Sequence, residues 1–164
     1  MGKTLLVTGG TGSFGNAVIK KFLKSNTFSE IRILSRDESK QDRMANDYNN
    51  NKLSFYLGDV RDKERVKNVC KGVDVIFHAA ALKIVPSCEN ATWETIKTNI
   101  FGSKNVIEAA ISNKVKNLTL LSTDKSVYPI NTMGMTKGLM EKLALSVDFP
   151  DKTNINCVRY GNVM

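Results

Sequence analysis

Leu5-Leu6-Val7-Thr8-Gly9-Gly10-Thr11-Gly12-Ser13-Phe14-Gly15 decides the fold of this chain. The apolar run reads as the end of a buried strand from Lys3 to Thr8, and the glycines that follow break it sharply. From about Ser13 to Ser25 the apolar spacing is helical. The turn satisfies G-x-x-G-x-x-G from Gly9 and G-x-G-x-x-G from Gly10. Glycines there permit a tight bend and let backbone N–H groups approach a pyrophosphate at the positive end of the helix. Glycine-rich turns are common, and it is the placement between a first strand and a first helix that makes this one specific. Gly15 is followed by Asn16, which excludes the Gly-Lys-Ser/Thr of a P-loop.

Outward from that turn, strand-like and helix-like stretches alternate. Strands are expected at Ile31 to Ser35, Leu53 to Leu57, Val73 to His78, Leu118 to Ser122 and Ile155 to Tyr160. Helices are expected from about Ser39 to Tyr48, Asp62 to Cys70, Trp93 to Ser112 and Met133 to Val147. Short β-rich runs separated by helices imply parallel strands joined by crossovers. The expected class is therefore α/β, a doubly wound, Rossmann-like parallel sheet of six or so strands. Asn49 to Asn51 reads as a turn rather than a linker, so residues 1–164 form one domain. The chain stops at Gly161-Asn162-Val163-Met164, directly after a strand. Ligands in such sheets bind beyond the carboxyl ends of the strands, where a substrate-holding region would begin. We therefore expect an N-terminal fragment of a longer enzyme, able to hold cofactor but inactive alone.

Composition narrows the classes. The 164 residues are 41% hydrophobic and 24% charged, which is ordinary for a globular protein and excludes a disordered one. The most apolar run, Val73 to Pro86, is interrupted by Asp74, His78 and Lys83, so no membrane insertion is expected. Lys and Arg number 24 against 16 acidic residues, a formal +8, yet they form no block. That favours a basic surface around a cleft for small anions over nucleic-acid binding. Cys70, Cys88 and Cys157 are too far apart for C-x-x-C, so reduced thiols, no metal site and a cytoplasmic location are expected.

The second strand ends in Ser35-Arg36-Asp37, twenty residues after Gly15. A carboxylate at that tip receives the ribose diol of NAD, whereas an arginine accommodates the 2′-phosphate of NADP. Ser35, Arg36 and Lys40 favour NADP; the competing reading gives the diol to Asp37. Asp59-Val60, after the third strand, is placed to border the adenine, while Asp62 is the natural cap of the next helix.

The glycine turn, Asp59-Val60 and His78-Ala79-Ala80-Ala81 together resemble an extended short-chain dehydrogenase/reductase. Ser35-Arg36-Asp37-Glu38, Ala81-Leu82-Lys83, Val85-Pro86-Ser87-Cys88-Glu89, Lys97-Thr98-Asn99, Ser122-Thr123-Asp124-Lys125, Tyr128-Pro129-Ile130-Asn131 and Arg159-Tyr160-Gly161-Asn162-Val163 narrow the resemblance. They are similar to UDP-N-acetylglucosamine 4,6-dehydratases that invert C5, of the capsule and O-antigen type. The resemblance covers essentially the whole chain. It implies NADP-dependent internal redox at the sugar C4, loss of water from C6 and reprotonation at C5, for surface polysaccharide. It also implies a homo-oligomer associating through the helices near residues 93–112 and 133–147.

By the same resemblance Asp124 protonates the departing hydroxyl, Lys125 removes the C5 proton and Thr123 hydrogen-bonds the C4 hydroxyl. A lysine acts as a base only where desolvation lowers its pKa. The departure from the wider family is Met133-Gly134-Met135-Thr136-Lys137, where Tyr-x-x-x-Lys is usual. Lys137 keeps its place for the nicotinamide ribose; Met133 has no titratable proton, so Lys125 is assigned the C4 proton as well. Met133, Met135 and Met140 read otherwise as helix core. The resemblance puts Gly9, Thr11, Gly12, Ser13, Phe14, Gly15, Ala79, Ala80, Ala81, Lys83 and Tyr160 around the cofactor, and Lys83, Thr123 and Asn162 around the sugar. Lys83 reads equally as surface, Asn99 as a backbone tie or polar surface, Glu89 as shaping the sugar loop, Cys88 as a packed loop thiol, and His78 as a satisfied core histidine.

Overall fold

In the computed structural model, which describes residues 2–146 and 153–161, six strands form one sheet. They are β1 (Lys3–Thr8), β2 (Phe28–Ser35), β3 (Leu53–Leu57), β4 (Val75–His78), β5 (Asn117–Thr123) and β6 (Asn154–Tyr160). The order is β3-β2-β1-β4-β5-β6, and every pairing is parallel. The helices are α1 (Ser13–Ser25), α2 (Glu38–Tyr48), α3 (Lys63–Val69), α4 (Val85–Asn90), α5 (Thr92–Ile96), α6 (Ser103–Ser112) and α7 (Thr132–Ser146). The doubly wound sheet expected from the sequence is the one observed.

The period of two along a strand sends alternate residues to opposite faces. Leu5 and Val7 of β1 join Ile31 and Ile33 of β2 against Ile19 of α1 and Met44 of α2. Leu6, between them, joins Leu34, Ile76, Leu118 and Leu120 on the other face, under Val66 of α3, Val106 and Ala110 of α6 and Met140 of α7. Both faces are covered, which is why these strands read as continuous apolar runs.

Helix boundaries follow local chemistry. Asp37 caps α2, accepting from the Lys40 N–H at 3.0 Å, and Asp62 caps α3 through the Arg65 N–H at 2.9 Å. The α2 helix ends at Asn49, whose φ of 39° is the left-handed closure its turn-like sequence indicates. Two expectations are corrected. Val85–Asn90 is a short helix with Pro86 in its first turn, so Cys88 is packed on a helix rather than in a loop. The helix expected over Trp93 to Ser112 is α5 and α6 joined by a π-helix, Lys97–Gly102. Val147, at the expected end of α7, lies outside the described residues. Among the described residues, no helix is long and apolar enough to cross a membrane.

Candidate nucleotide cleft and active site

The carboxyl ends of β1, β2 and β4 open on a cleft of about 670 Å³, within the range of ordinary small-molecule sites. Gly9, Thr11, Gly12, Ser13, Phe14 and Gly15 line it from the β1–α1 turn, and Ser35, Arg36, Asp37 and Lys40 from the β2–α2 turn. Asp59 and Val60 come from the loop after β3, Ala79, Ala80, Ala81 and Lys83 from the loop after β4, and Tyr160 from β6. Residues read from separate parts of the sequence thus meet in one cavity. Leu34, Gly58, Thr98 and Leu121 line it as well and were not anticipated.

The turn is built for close approach. Gly9 has a φ of 66°, and a Cβ there would lie 2.8 Å from the Ala80 nitrogen. A Cβ on Gly15 would lie 2.4 Å from the Gly10 carbonyl oxygen, so α1 starts directly on the glycine turn. Gly12 caps α1 without a side-chain acceptor, and no acidic residue occupies the first turn. The amides and positive end of α1 are thereby left to an anion. Phe14 and Tyr160 stack at 6.3 Å across the mouth.

On the ribose side, both Asp37 oxygens are engaged: Oδ1 by the Lys40 N–H and Oδ2 by Lys40 Nζ at 3.1 Å. These two contacts hold its carboxyl below the usual range. The Ser35 hydroxyl accepts from Gln41 Nε2 at 2.9 Å. Arg36 Nη1 lies 3.5 Å from Asp59 Oδ2, half-exposed over the cleft. Burial works to raise the Asp59 carboxyl, but hydrogen bonds from Arg61 leave it below its ordinary value. Among the described residues, Thr98 Oγ1 is a buried side-chain oxygen with no partner, on a residue that lines the cleft. An unsatisfied hydroxyl in a glycine-floored, basic-rimmed cleft fits a polar dinucleotide. The signal for it was the Lys97-Thr98-Asn99 motif, whose π-helical setting the sequence does not show.

A second group of residues gathers where β5 ends. Thr123 caps a 3₁₀ turn, Asp124–Ser126. Asp124 Oδ1 accepts from Thr123 Oγ1 at 2.9 Å, the Lys125 N–H at 2.8 Å and Lys125 Nζ at 3.3 Å. The Thr123 hydroxyl first, then Lys125, hold the Asp124 carboxyl below its usual range. Met133 is buried in the first turn of α7 and Lys137 stands one turn on. Lys137 Nζ donates to the Leu121 carbonyl at 2.7 Å, and burial lowers its pKa to about 8. It thus sits behind Leu121, which lines the cleft, and is not itself on the lining. Met140 is buried as expected, but Met135 is exposed, which corrects its assignment to the core.

Other side chains hold this region together. Asn99 is fully buried, bonds both backbone groups of Leu82 at 2.9 Å and donates to Thr136 Oγ1 at 3.1 Å, so it is a backbone tie. Glu89 accepts the Thr132 N–H at 2.6 Å and its hydroxyl at 2.9 Å, closing the start of α7. His78 is a satisfied core histidine between Thr8 Oγ1 at 2.7 Å and Ser103 Oγ at 2.9 Å. Glu141 was not singled out, and its partners come from other elements. Asn162, expected to touch sugar, lies outside the described residues.

A family model described as "Polysaccharide biosynthesis protein" matches residues 5–164. The chain belongs to that family. It is 56% identical to a UDP-glucose 4-epimerase of Rickettsia prowazekii (strain Madrid E), over 99% of this chain and 49% of that protein. The chain thus spans about half the length of the curated relatives it matches. Pen from Bacillus thuringiensis, a crystal structure, superposes with a TM-score of 0.95 at 35% identity, covering 99% of this chain and 51% of that one. DesIV, a dTDP-glucose 4,6-dehydratase from Streptomyces venezuelae solved with NAD and TYD bound, gives 0.85 at 21% identity, over 95% and 55% of the chains. At that identity the likeness is one of fold. In sequence the chain is thus similar to proteins named as nucleotide-sugar epimerases, and in fold alone to a nucleotide-sugar dehydratase.

Proposed function

We propose that the full-length protein is an NADP-dependent UDP-N-acetylglucosamine 4,6-dehydratase that inverts C5, making nucleotide sugar for surface polysaccharide in the cytoplasm. The observation that carries this reading is the Thr123-Asp124-Lys125 turn at the end of β5, beside a helix with Met133 where a tyrosine is usual. Gly9, Gly12, Gly15 and the start of α1 would hold the pyrophosphate, Asp59 and Val60 the adenine, and Arg36 and Lys40 a 2′-phosphate. A nicotinamide dinucleotide, when bound, supplies a reversible acceptor for the C4 hydride. Tyr160, on the cleft lining, and Lys137, bonded to the carbonyl of Leu121 behind it, would set the nicotinamide end of the cleft.

The chain's own groups handle protons. A C4 ketone acidifies the C5 proton, which the Lys125 amine takes; Asp124 delivers a proton to the C6 hydroxyl as water departs. Thr123 and Lys125 hold Asp124 ionised, so it needs a proton before it can serve as the acid. The 3.3 Å contact from Lys125 Nζ to Asp124 Oδ1 supplies the route. The proton that Lys125 takes from the C4 hydroxyl passes along it to Asp124 and on to the leaving C6 hydroxyl. That frees the Lys125 amine to take the C5 proton and return one to C5 on the other face, so the cycle balances within one pair of side chains.

A C4 epimerase is the second reading, favoured by the name of the 56%-identical relative. Incubating the full-length protein with UDP-N-acetylglucosamine in deuterated water separates the two by product NMR. A 4-keto-6-deoxy sugar with deuterium at an inverted C5 supports the dehydratase. A C4-inverted sugar with no ring deuterium establishes the epimerase, and unchanged substrate establishes neither activity.

Cofactor preference is tested separately. Arg36→Ala should weaken NADP(H) by about tenfold or more and leave NAD(H) nearly unchanged, since a charge-assisted bond to a half-exposed arginine is worth at least ~1.5 kcal/mol. Calorimetry showing equal affinity for both dinucleotides, or equal loss of both, would give the ribose to Asp37 instead. Exposed Trp93, Phe101 and Leu139 on the helices after β4 and β5 support the proposal of a homo-oligomer. A monomeric mass in ultracentrifugation would remove it.

A further inference from the structure

A buried carboxylate stands behind the β5 turn that no step above uses. Glu141 lies on α7 one turn after Lys137 and is only 6% exposed. The β5–β6 register sets Arg159 beside Ser122, and Arg159 reaches across to both carboxylate oxygens. Its Nε donates to Oε1 at 3.0 Å and to Oε2 at 3.1 Å, and its Nη2 to Oε2 at 2.6 Å. Oε1 also receives the Ser122 hydroxyl, and Ser126 Oγ lies 2.8 Å from it. Ser122 and Ser126 are the residues on either side of Thr123-Asp124-Lys125. Ser126 Oγ is in addition 2.6 Å from the Thr123 carbonyl oxygen.

The same helix meets the turn a second time. A Cβ on Gly134 would stand 2.4 Å from the Lys125 carbonyl oxygen, so only glycine lets α7 come this close. The helix therefore touches the turn at Lys125 and grips it at both flanking serines. The charged and titratable groups facing Glu141 are Arg159 and Cys157 from β6 and Lys137 from α7. The Arg159 guanidinium, then the two hydroxyls, take its pKa down to about 2 against the opposing effect of burial. A carboxylate so held stays ionised across the working range, which suits a fixed anchor and not a proton carrier.

We propose that Glu141 is the positioning residue of the active site, fixing through Ser122 and Ser126 the turn that presents Thr123, Asp124 and Lys125. The proposal rests on the acid–base reading of that turn given above. In the full-length enzyme, Glu141→Gln should keep dinucleotide affinity within about twofold while kcat falls about 10- to 100-fold, the scale expected when reacting groups are misplaced by an ångström. KM should change far less than kcat, and the ratio of variant to wild-type kcat should be flat between about pH 6 and 9, because an ionised anchor adds no titration of its own.

Amide hydrogen exchange should quicken in residues 122–126 and stay unchanged in the β1–α1 turn. Ser126→Ala should move kcat and exchange the same way by a smaller amount. Should Glu141→Gln fail to fold, Ser126→Ala carries the same test. A kcat within about twofold of wild type in a folded Glu141→Gln, or a kcat that falls only in step with dinucleotide affinity, overturns the proposal. A wild-type protein that turns over no nucleotide sugar removes the acid–base reading instead. Exchange then decides: faster at residues 122–126 in Glu141→Gln upholds the clamp, and unchanged exchange overturns it.

Discussion

Lys125→Ala in the full-length enzyme should abolish deuterium incorporation at C5 and the ketone product, while Asp124→Asn should leave C5 exchange intact and slow the loss of water. Each loss should be about 10²- to 10⁴-fold, the usual contribution of a positioned acid or base. The asymmetry follows from the order of proton movements. Lys125 acts first, taking the C4 hydroxyl proton where Met133 stands in the tyrosine position and passing it to Asp124, and then taking the C5 proton; Asp124 acts only as the C6 oxygen leaves. Met133→Leu should keep most of the activity, because Met133 is buried and contributes packing of similar volume. Product NMR in deuterated water reads all three variants. C5 exchange surviving in Lys125→Ala would transfer the base to another group. Loss of all activity in a folded Met133→Leu would end the view of that thioether as filling.

Acid should destabilise the fold through His78. The imidazole is fully buried, and burial first, then the neighbouring Lys137 charge, lower its pKa from 6.5 to about 3. The unfolded chain binds this proton below about pH 6.5 and the folded chain only near 3, so stability is complete above the upper value and drains away as pH falls between the two. At about 1.4 kcal/mol per unit the full loss is roughly 4 to 5 kcal/mol, a large part of a domain's stability. Glu141 acts with the same sign, but its stabilisation is lost from its ordinary value of 4.5 down to about 2. The interval from about pH 5 to 6.5 therefore belongs to His78. Urea unfolding of the full-length protein should show stability falling there, and His78→Gln should flatten that slope even though it lowers stability at neutral pH. An equal slope in the variant would show that another group takes up the proton.

The sheet and the cleft were legible in the sequence because both are built from local signals. Apolar runs of strand length, separated by helical spacing, leave little choice but parallel strands, and a cleft at their carboxyl ends draws on the residues directly after each run. That is why Arg36, Asp59, Ala80 and Tyr160 meet although far apart in the chain. What was not legible depends on tertiary contact. The π-helix of Lys97–Gly102 needs Asn99 to bond Leu82 and Gly102 to lie against Val60, and a continuous helical pattern hides both. The short α4 carries too few apolar positions to show a period. Glu141 looked like any helical glutamate until the β5–β6 register brought Arg159 to it. Lys137 kept its motif position, yet its amine is turned to the Leu121 carbonyl, which no spacing foretells.

The strand order β3-β2-β1-β4-β5-β6 places the earliest in sequence of these six strands at the interior of the sheet. Every later strand can then join at an open edge: β2 and β3 on one side, then β4, β5 and β6 on the other. None has to be threaded between two already paired. During vectorial synthesis this suits a parallel sheet, whose long-range pairings are otherwise slow to form and exposed to misassociation. Because β1, β2, β3 and the glycine turn all precede β4 in the chain, the phosphate-cradling half can assemble before the strands that carry the proton-handling half have joined the sheet.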